Sequence, residues 1–183
     1  MTSRSSSFVF LFPGQGSQSV GMLQGLAQVY PQVQATFAEA SDVLGLDLWE
    51  MAAVGPADAL DRTENTQPAM LAAGVAVWRV WGACGGPNPA AMAGHSLGEY
   101  TALVCAGALG FAEAVATVAE RGRLMQGAVP AGQGAMAAVL GLDDAEVAAL
   151  CDRQAQGEVL EPVNFNAPGQ VVIAGSAAAV GRA

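Results

Sequence analysis

Gly94-His95-Ser96-Leu97-Gly98 is a G-x-S-x-G sequence set between a short apolar run and an apolar helical pattern. A serine in that setting is a candidate nucleophile. Where a strand turns abruptly into a helix, the corner residue is held in a strained conformation and neighbours larger than glycine collide. Gly94 and Gly98 supply the clearance. The helix behind the corner, Leu97 to Cys105, aims its free N–H groups and positive dipole end at the same spot, where negative charge developing on a substrate oxygen is stabilised. Ser96 and Glu99 also fit a capping box, so a plain helix cap is the competing reading. A cap alone does not require glycine on both sides.

Three further residues carry chemistry by position. Gln15 lies in the glycine loop Pro13-Gly14-Gln15-Gly16 that follows an apolar run, so its backbone N–H can face a ligand across from Ser96. The same loop begins a dinucleotide pattern, but position 19 is serine, and the acids twenty residues on, Glu39 and Asp42, fall in a helical pattern. Arg121 shares the apolar stripe of its helix with Ala114, Val118 and Met125, whereas Arg123 points away. An inward guanidinium needs an anion: either a substrate carboxylate or an internal acid such as Glu99 or Glu120. His95, the single histidine, points to the opposite side from Ser96 at a strand end and is a poor base for it. A serine nucleophile needs a base within hydrogen-bond reach, and no other histidine is present.

These residues need elements to place them. Phe8 to Phe12 reads as a buried strand, and buried strands suggest a parallel sheet. Helical patterns follow over Gly21 to Tyr30, Gln32 to Leu44 and Pro68 to Trp81, the last with proline in its first turn. Ala90 to Ala93 is the strand before Ser96, and Phe111 to Gly127 a further helix. Pro130-Ala131-Gly132-Gln133-Gly134 marks a subdomain boundary, dividing 1–129 from 130–183. Beyond it come a strand over Ala135 to Leu140, an aspartate-capped helix from Asp143 to Gln154, and a hairpin of Pro162 to Asn166 and Gln170 to Ala174, hence β-α-β-β. Ser176 opens a helix too short to stand alone, and two parallel strands do not make an independent core, so the chain is expected to be cut short.

Composition narrows the function. The 183 residues are 52% hydrophobic and 13% charged, which fits a globular protein. A net charge of −9 with seven scattered arginines and no lysine argues against nucleic acid. Cys84, Cys105 and Cys151 lack metal-ligand spacing and fit structural thiols of a reducing compartment. No metal cluster, signal peptide or membrane span is expected, and the protein reads as cytoplasmic and soluble.

Gly14-Gln15-Gly16-Ser17-Gln18, Thr66-Gln67-Pro68-Ala69, the Gly94 to Tyr100 stretch, Arg121-Gly122 and the Pro162 to Gly175 stretch occur in order. Together they resemble the bacterial malonyl-CoA:acyl carrier protein transacylases, of the acyltransferase family of fatty-acid and polyketide synthesis. The resemblance implies an α/β class: an α/β-hydrolase-like large domain with a parallel sheet and an inserted ferredoxin-like small subdomain, both incomplete here. It implies a ping-pong reaction without a bound cofactor. Ser96 takes malonyl from malonyl-CoA, and the phosphopantetheine thiol of acyl carrier protein takes it from Ser96. Gln15 and Leu97 would supply oxyanion-hole N–H groups and Arg121 would pair with the malonyl carboxylate. Gln67 would line the same pocket, Asn164 and Asn166 would border the coenzyme A channel, and His95 belongs to the motif without an assigned role. The family's activating histidine lies on a later segment that this sequence does not reach. A monomer with no nucleic-acid or membrane partner is expected. A serine thioesterase and a noncatalytic fragment are the competing functions.

Overall fold

The computed structural model describes residues 8–130 and 132–183, so Arg4 and the Ala131 of the boundary stretch lie outside the described residues. The chain divides into two compact units, Met1–Gln126 and Gly127–Ala183. The protein is of the α/β class with a small parallel sheet.

In the first unit, β1 (Val9–Phe12) pairs in parallel with β2 (Ala91–Gly94), in a register that sets Phe12 opposite Gly94. Around them run α1 (Gln24–Ala27), α2 (Gln32–Leu44), α3 (Leu48–Ala53), α4 (Ala57–Leu60), α5 (Thr63–Ala83), α6 (Leu97–Cys105) and α7 (Phe111–Gly127). The core forms where α5 meets α2 and α6: Val33, Phe37, Leu71, Val75 and Leu97 are buried together. Phe10 stands edge-on to Trp78 and Trp81 of α5, tying β1 to that helix.

Three expectations need correction. The first strand is not buried on both faces, since Val9 is 52% and Leu11 75% exposed. Among the described residues the helix contacts of β1 fall on the Phe10 and Phe12 side, which leaves the alternate residues open. Pro68 does not start its helix, which begins five residues earlier at Thr63 and carries Pro68 in its interior. The Thr66 hydroxyl donates to the Leu60 and Arg62 carbonyls and anchors this earlier start. The helix expected over Gly21 to Tyr30 shrinks to Gln24–Ala27, because Gly21 and Leu23 both take positive φ.

The second unit holds β3 (Gly134–Leu140), α8 (Asp144–Ala155), β4 (Leu160–Ala167), β5 (Gln170–Ser176) and α9 (Ala177–Arg182). Its sheet is antiparallel in the order β3-β5-β4. Ala137 and Val139 of β3 share a face with Ile173 and Val171 of β5, packed with Val147 and Cys151 of α8 and Ala179 of α9. Asp143 closes a full capping box with Glu146, which satisfies N–H groups that the first turn of α8 would otherwise leave free. Ser176 caps α9, its hydroxyl accepting from Ala179 N–H.

Close backbone approach and burial give two expected outcomes. A Cβ on Gly98 would stand 2.1 Å from the Phe12 carbonyl oxygen, whereas one on Gly82 of α5 meets nothing within 4 Å. Gly98→Ala should lower the urea midpoint by an amount worth about 1–3 kcal/mol or more, and Gly82→Ala should raise it by up to about 1 kcal/mol. The three thiols are free; Cys84 is exposed, while Cys105 and Cys151 are buried. Burial pushes the Cys105 thiol up to about 12 despite nearby Arg79. Burial, then the charges of Glu161 and Asp152, also raise Cys151. Because the thiolate is the reactive form, iodoacetamide at pH 8 should modify Cys84 rapidly and the other two only after unfolding, read by mass.

Candidate active site

Ser96 occupies the corner between β2 and α6 with φ 53° and ψ −108°, a positive φ that few non-glycine residues adopt. The corner is possible because backbone meets backbone on both sides. A Cβ on Gly94 would fall 2.0 Å from the Gly98 carbonyl group, and the Gly98 position is closed to side chains by Phe12. His95 N–H donates to the Phe12 carbonyl at 3.3 Å, so the end of β1 is sewn to the corner. The Ser96 side chain makes no cap bond to α6. Its Oγ instead accepts from Arg121 Nη2 at 2.9 Å, so the plain-cap reading does not describe this serine.

Leu97 is the first residue of α6, so its N–H is among those without an intrahelical acceptor. The loop carrying Gln15 passes directly beside the corner, because a Cβ on Gly14 would stand 2.9 Å from the His95 carbonyl oxygen and 3.4 Å from its Nδ1. His95 therefore lies against that loop. Gln15 Nε2 donates to Thr63 Oγ1 at 3.2 Å, and Gln18 Nε2 to Asp61 Oδ1 at 2.8 Å, so two side chains moor the loop at the start of α5. The loop does not open into a helix as a dinucleotide turn would, and Glu39 lies on α2, where it pairs with Arg79 at 2.8 Å.

Arg121 reaches this corner because α7 crosses the first turn of α5 at Gly122. A Cβ there would meet the Thr63 carbonyl oxygen at 2.6 Å. Gln126 Oε1, further along α7, accepts from Thr63 N–H at 3.3 Å. Arg121 Nη1 donates to Gln67 Oε1 at 2.7 Å while Nη2 holds Ser96, and the guanidinium carbon lies 5.8 Å from the centre of the Tyr100 ring. The internal acids weighed from the sequence do not take it: Glu120 is engaged by Arg123, and no carboxylate forms an ion pair with Arg121 among the described residues. The fork therefore presents a positive charge to the serine with neutral neighbours only.

Gln67, wholly buried on α5, thus joins Ser96, Arg121 and Leu97 in one cluster, with Gln15 on the adjoining loop. Asn164 and Asn166 lie on β4 in the second unit; Asn164 stands opposite Val172, on the face turned away from α8. Sequence reasoning missed Thr63 and gave Met125 no part beyond the stripe it shares with Arg121. Met125 had a signal, since it follows Arg121 by four residues on the same helical face and accepts from Gln67 Nε2. Thr63 had none. Among the described residues no group of three or more His, Cys, Asp or Glu side chains is placed to hold a metal ion.

Comparison with known proteins gives the same residues a family. The family described as acyl transferase domain matches residues 9–183. The malonyl CoA-acyl carrier protein transacylase of Salmonella typhimurium is 61% identical over 176 residues, covering 96% of this chain and 57% of that protein. The solved transacylase of the same name from Coxiella burnetii superposes with a TM-score of 0.93 at 55% identity, over 96% of this chain and 56% of its own. A malonyl-transacylase solved in complex with a type II PKS acyl-carrier protein gives a TM-score of 0.92 at 58% identity, over 97% and 57%. The chain spans somewhat more than half the length of the curated relatives it matches, 57% for the Salmonella protein. On the match over residues 9–183, the chain belongs to the acyl transferase domain family.

Proposed function

We propose that this protein transfers a malonyl group from malonyl-CoA to the phosphopantetheine thiol of acyl carrier protein, with Ser96 carrying the group in between. The observation that carries the reading is Arg121: a guanidinium bonded to the serine hydroxyl and to a buried amide, with no carboxylate of its own among the described residues. A fork so placed suits an acyl group that ends in a carboxylate. The names of the relatives, and the complex of one solved transacylase with an acyl-carrier protein, support the same donor and acceptor.

In the first half-reaction Ser96 Oγ attacks the thioester carbonyl and gives up its proton to a base. The carbonyl oxygen becomes an oxyanion, which we assign to the N–H groups of Gln15 and Leu97 at the positive end of α6. Collapse breaks the carbon–sulfur bond, coenzyme A leaves as the thiol after taking a proton, and a malonyl-serine ester remains. The carrier-protein thiol then attacks that ester and Ser96 Oγ leaves with a proton returned to it. Arg121 holds the malonyl carboxylate throughout, and Gln67 fixes the other arm of the fork. His95 is not assigned the base, because its ring lies against the Gly14 loop. We assign the base to the part of the relatives' length that this chain does not span. Asn164 and Asn166 are proposed to border the coenzyme A channel.

We further infer that the first unit belongs to an α/β-hydrolase-like large domain, and that the second, which begins three residues before the boundary expected from the sequence, belongs to a ferredoxin-like subdomain. The β-α-β-β-α order and the β3-β5-β4 sheet support the latter. Free thiols, two of them buried, fit the cytoplasm.

This chain should bind malonyl-CoA, and Arg121→Ala should weaken that binding about 10- to 100-fold, the range for losing a hydrogen-bonded charge partner. In the full-length protein, intact mass should show a malonyl adduct that Ser96→Ala abolishes. A folded full-length protein that stays unlabelled would overturn the reading, and malonyl-CoA hydrolysis outrunning transfer to carrier protein would replace it with a thioesterase.

A further inference from the structure

Gln67 is useful to Arg121 in only one of its two orientations. Its side chain is 0% exposed, its Oε1 accepts from Arg121 Nη1 at 2.7 Å, and its Nε2 donates to Met125 Sδ at 3.2 Å. The two ends of a primary amide have nearly the same shape and opposite hydrogen-bonding character. A guanidinium offers donors only, so a turned amide would set N–H against N–H. A thioether offers an acceptor only, so it accepts the same single orientation from the other end. Met125 and Arg121 are one turn apart on α7, and one helix therefore engages both ends of an amide that belongs to α5.

We propose that Met125 is a positioning residue: its sulfur locks the Gln67 amide with the oxygen toward Arg121, and so fixes the guanidinium for the carboxylate of the incoming acyl group. The identity of that carboxylate rests on the malonyl reading above; the lock itself does not. Without the sulfur, a buried N–H loses its acceptor. Arg121 and Met125 both border an open groove of about 600 Å³ along α7, and Met125 is 49% exposed, whereas Gln67 itself is wholly buried. An amide that turns away from its lost acceptor carries Oε1 away from the guanidinium. A methionine that only filled space would be replaced by leucine, of similar volume and without an acceptor, at no cost to the site.

The test compares Met125→Leu and Met125→Gln with the unchanged chain by two readouts. Solvent exchange of the Gln67 side-chain N–H₂ and the Arg121 Nε–H, followed by ¹⁵N-resolved NMR, reports the lock with no ligand present. The ratio of malonyl-CoA to acetyl-CoA affinity reports its use. Met125→Leu should exchange faster at Gln67 and lose about 3- to 10-fold of the malonyl preference while binding acetyl-CoA unchanged, the size expected for one neutral hydrogen bond. Met125→Gln, of equal length and with a carbonyl acceptor, should restore both. A folded Met125→Leu chain that keeps the parent's exchange rates and preference overturns the lock, as does failure of Met125→Gln to restore them. Met125→Ala supplies the same comparison if leucine disturbs packing at this half-exposed position. Equal binding of the two thioesters by the unchanged chain would instead sink the malonyl reading, and the exchange rates would still decide the lock.

Discussion

Everything at the serine corner depends on the absence of side chains at two positions. The end of β1, the end of β2 and the first turn of α6 converge until Gly94 touches Gly98 and Gly98 touches Phe12, at distances where a Cβ would sit inside a carbonyl group. Ser96 is left at φ 53°, a conformation that costs on the order of 1–3 kcal/mol for a residue with a side chain. The surrounding backbone holds it there: His95 N–H is tied to the Phe12 carbonyl and Gly98 N–H to the His95 carbonyl. Strain of this kind persists only where neighbours over-determine it. Here the reward is an exposed hydroxyl beside a helix N-terminus, with no duty as a cap.

A third glycine brings the charge. Gly122 lets α7 lie on the first turn of α5, and with α7 pinned there, Arg121 falls between Gln67 and Ser96. The electrostatics follow from what is missing around it. Among the described residues Arg79 and Arg123 of the same unit have carboxylate partners, whereas Arg121 is met by an amide, a hydroxyl and the face of Tyr100. Hydrogen bonds to neutral groups orient a guanidinium without neutralising it, so the site keeps an unspent attraction for an anion beside its serine. A salt bridge would have been the simpler use of an inward arginine, and the structure declines it.

The sequence made these contacts legible to different degrees, for physical reasons. The elbow glycines announce themselves because only one residue type fits, and Arg121 because helical phase is periodic over four turns. The capped helix of the second unit was readable from Asp143 and Glu146, whose reciprocal bonds are local. The start of α5 was not, since proline is a strong local signal and Thr66, Thr63 and Gln126 override it through bonds that span up to 63 residues. Burial of β1 was misjudged because an apolar run gives hydrophobicity without saying how many faces are covered. The short helices α3 and α4 escaped because one or two turns carry too little periodicity to detect, although Asp47 caps the first of them.

The open face of β1 bears on how self-sufficient the site is. Parallel strands are normally covered on both faces, and Leu11 is among the most exposed of the large apolar residues described. Yet the residues that position the serine use the opposite side. Phe12 is buried and Phe10 stands edge-on to Trp78 of α5, the Gln15 loop is moored to Thr63 and Asp61, and Arg121 is set by the close approach of Gly122 to the first turn of α5. Each of these ties runs to α5 or the turn before it, the helix with the largest buried face in the unit. Covering Val9 and Leu11 would add stability through burial without moving any of these ties. Pocket geometry and catalytic competence are therefore separable: the Arg121–Gln67–Ser96 cluster is built by contacts within residues 9–126, whereas the transfer proposed above also calls for a base, which those contacts do not supply.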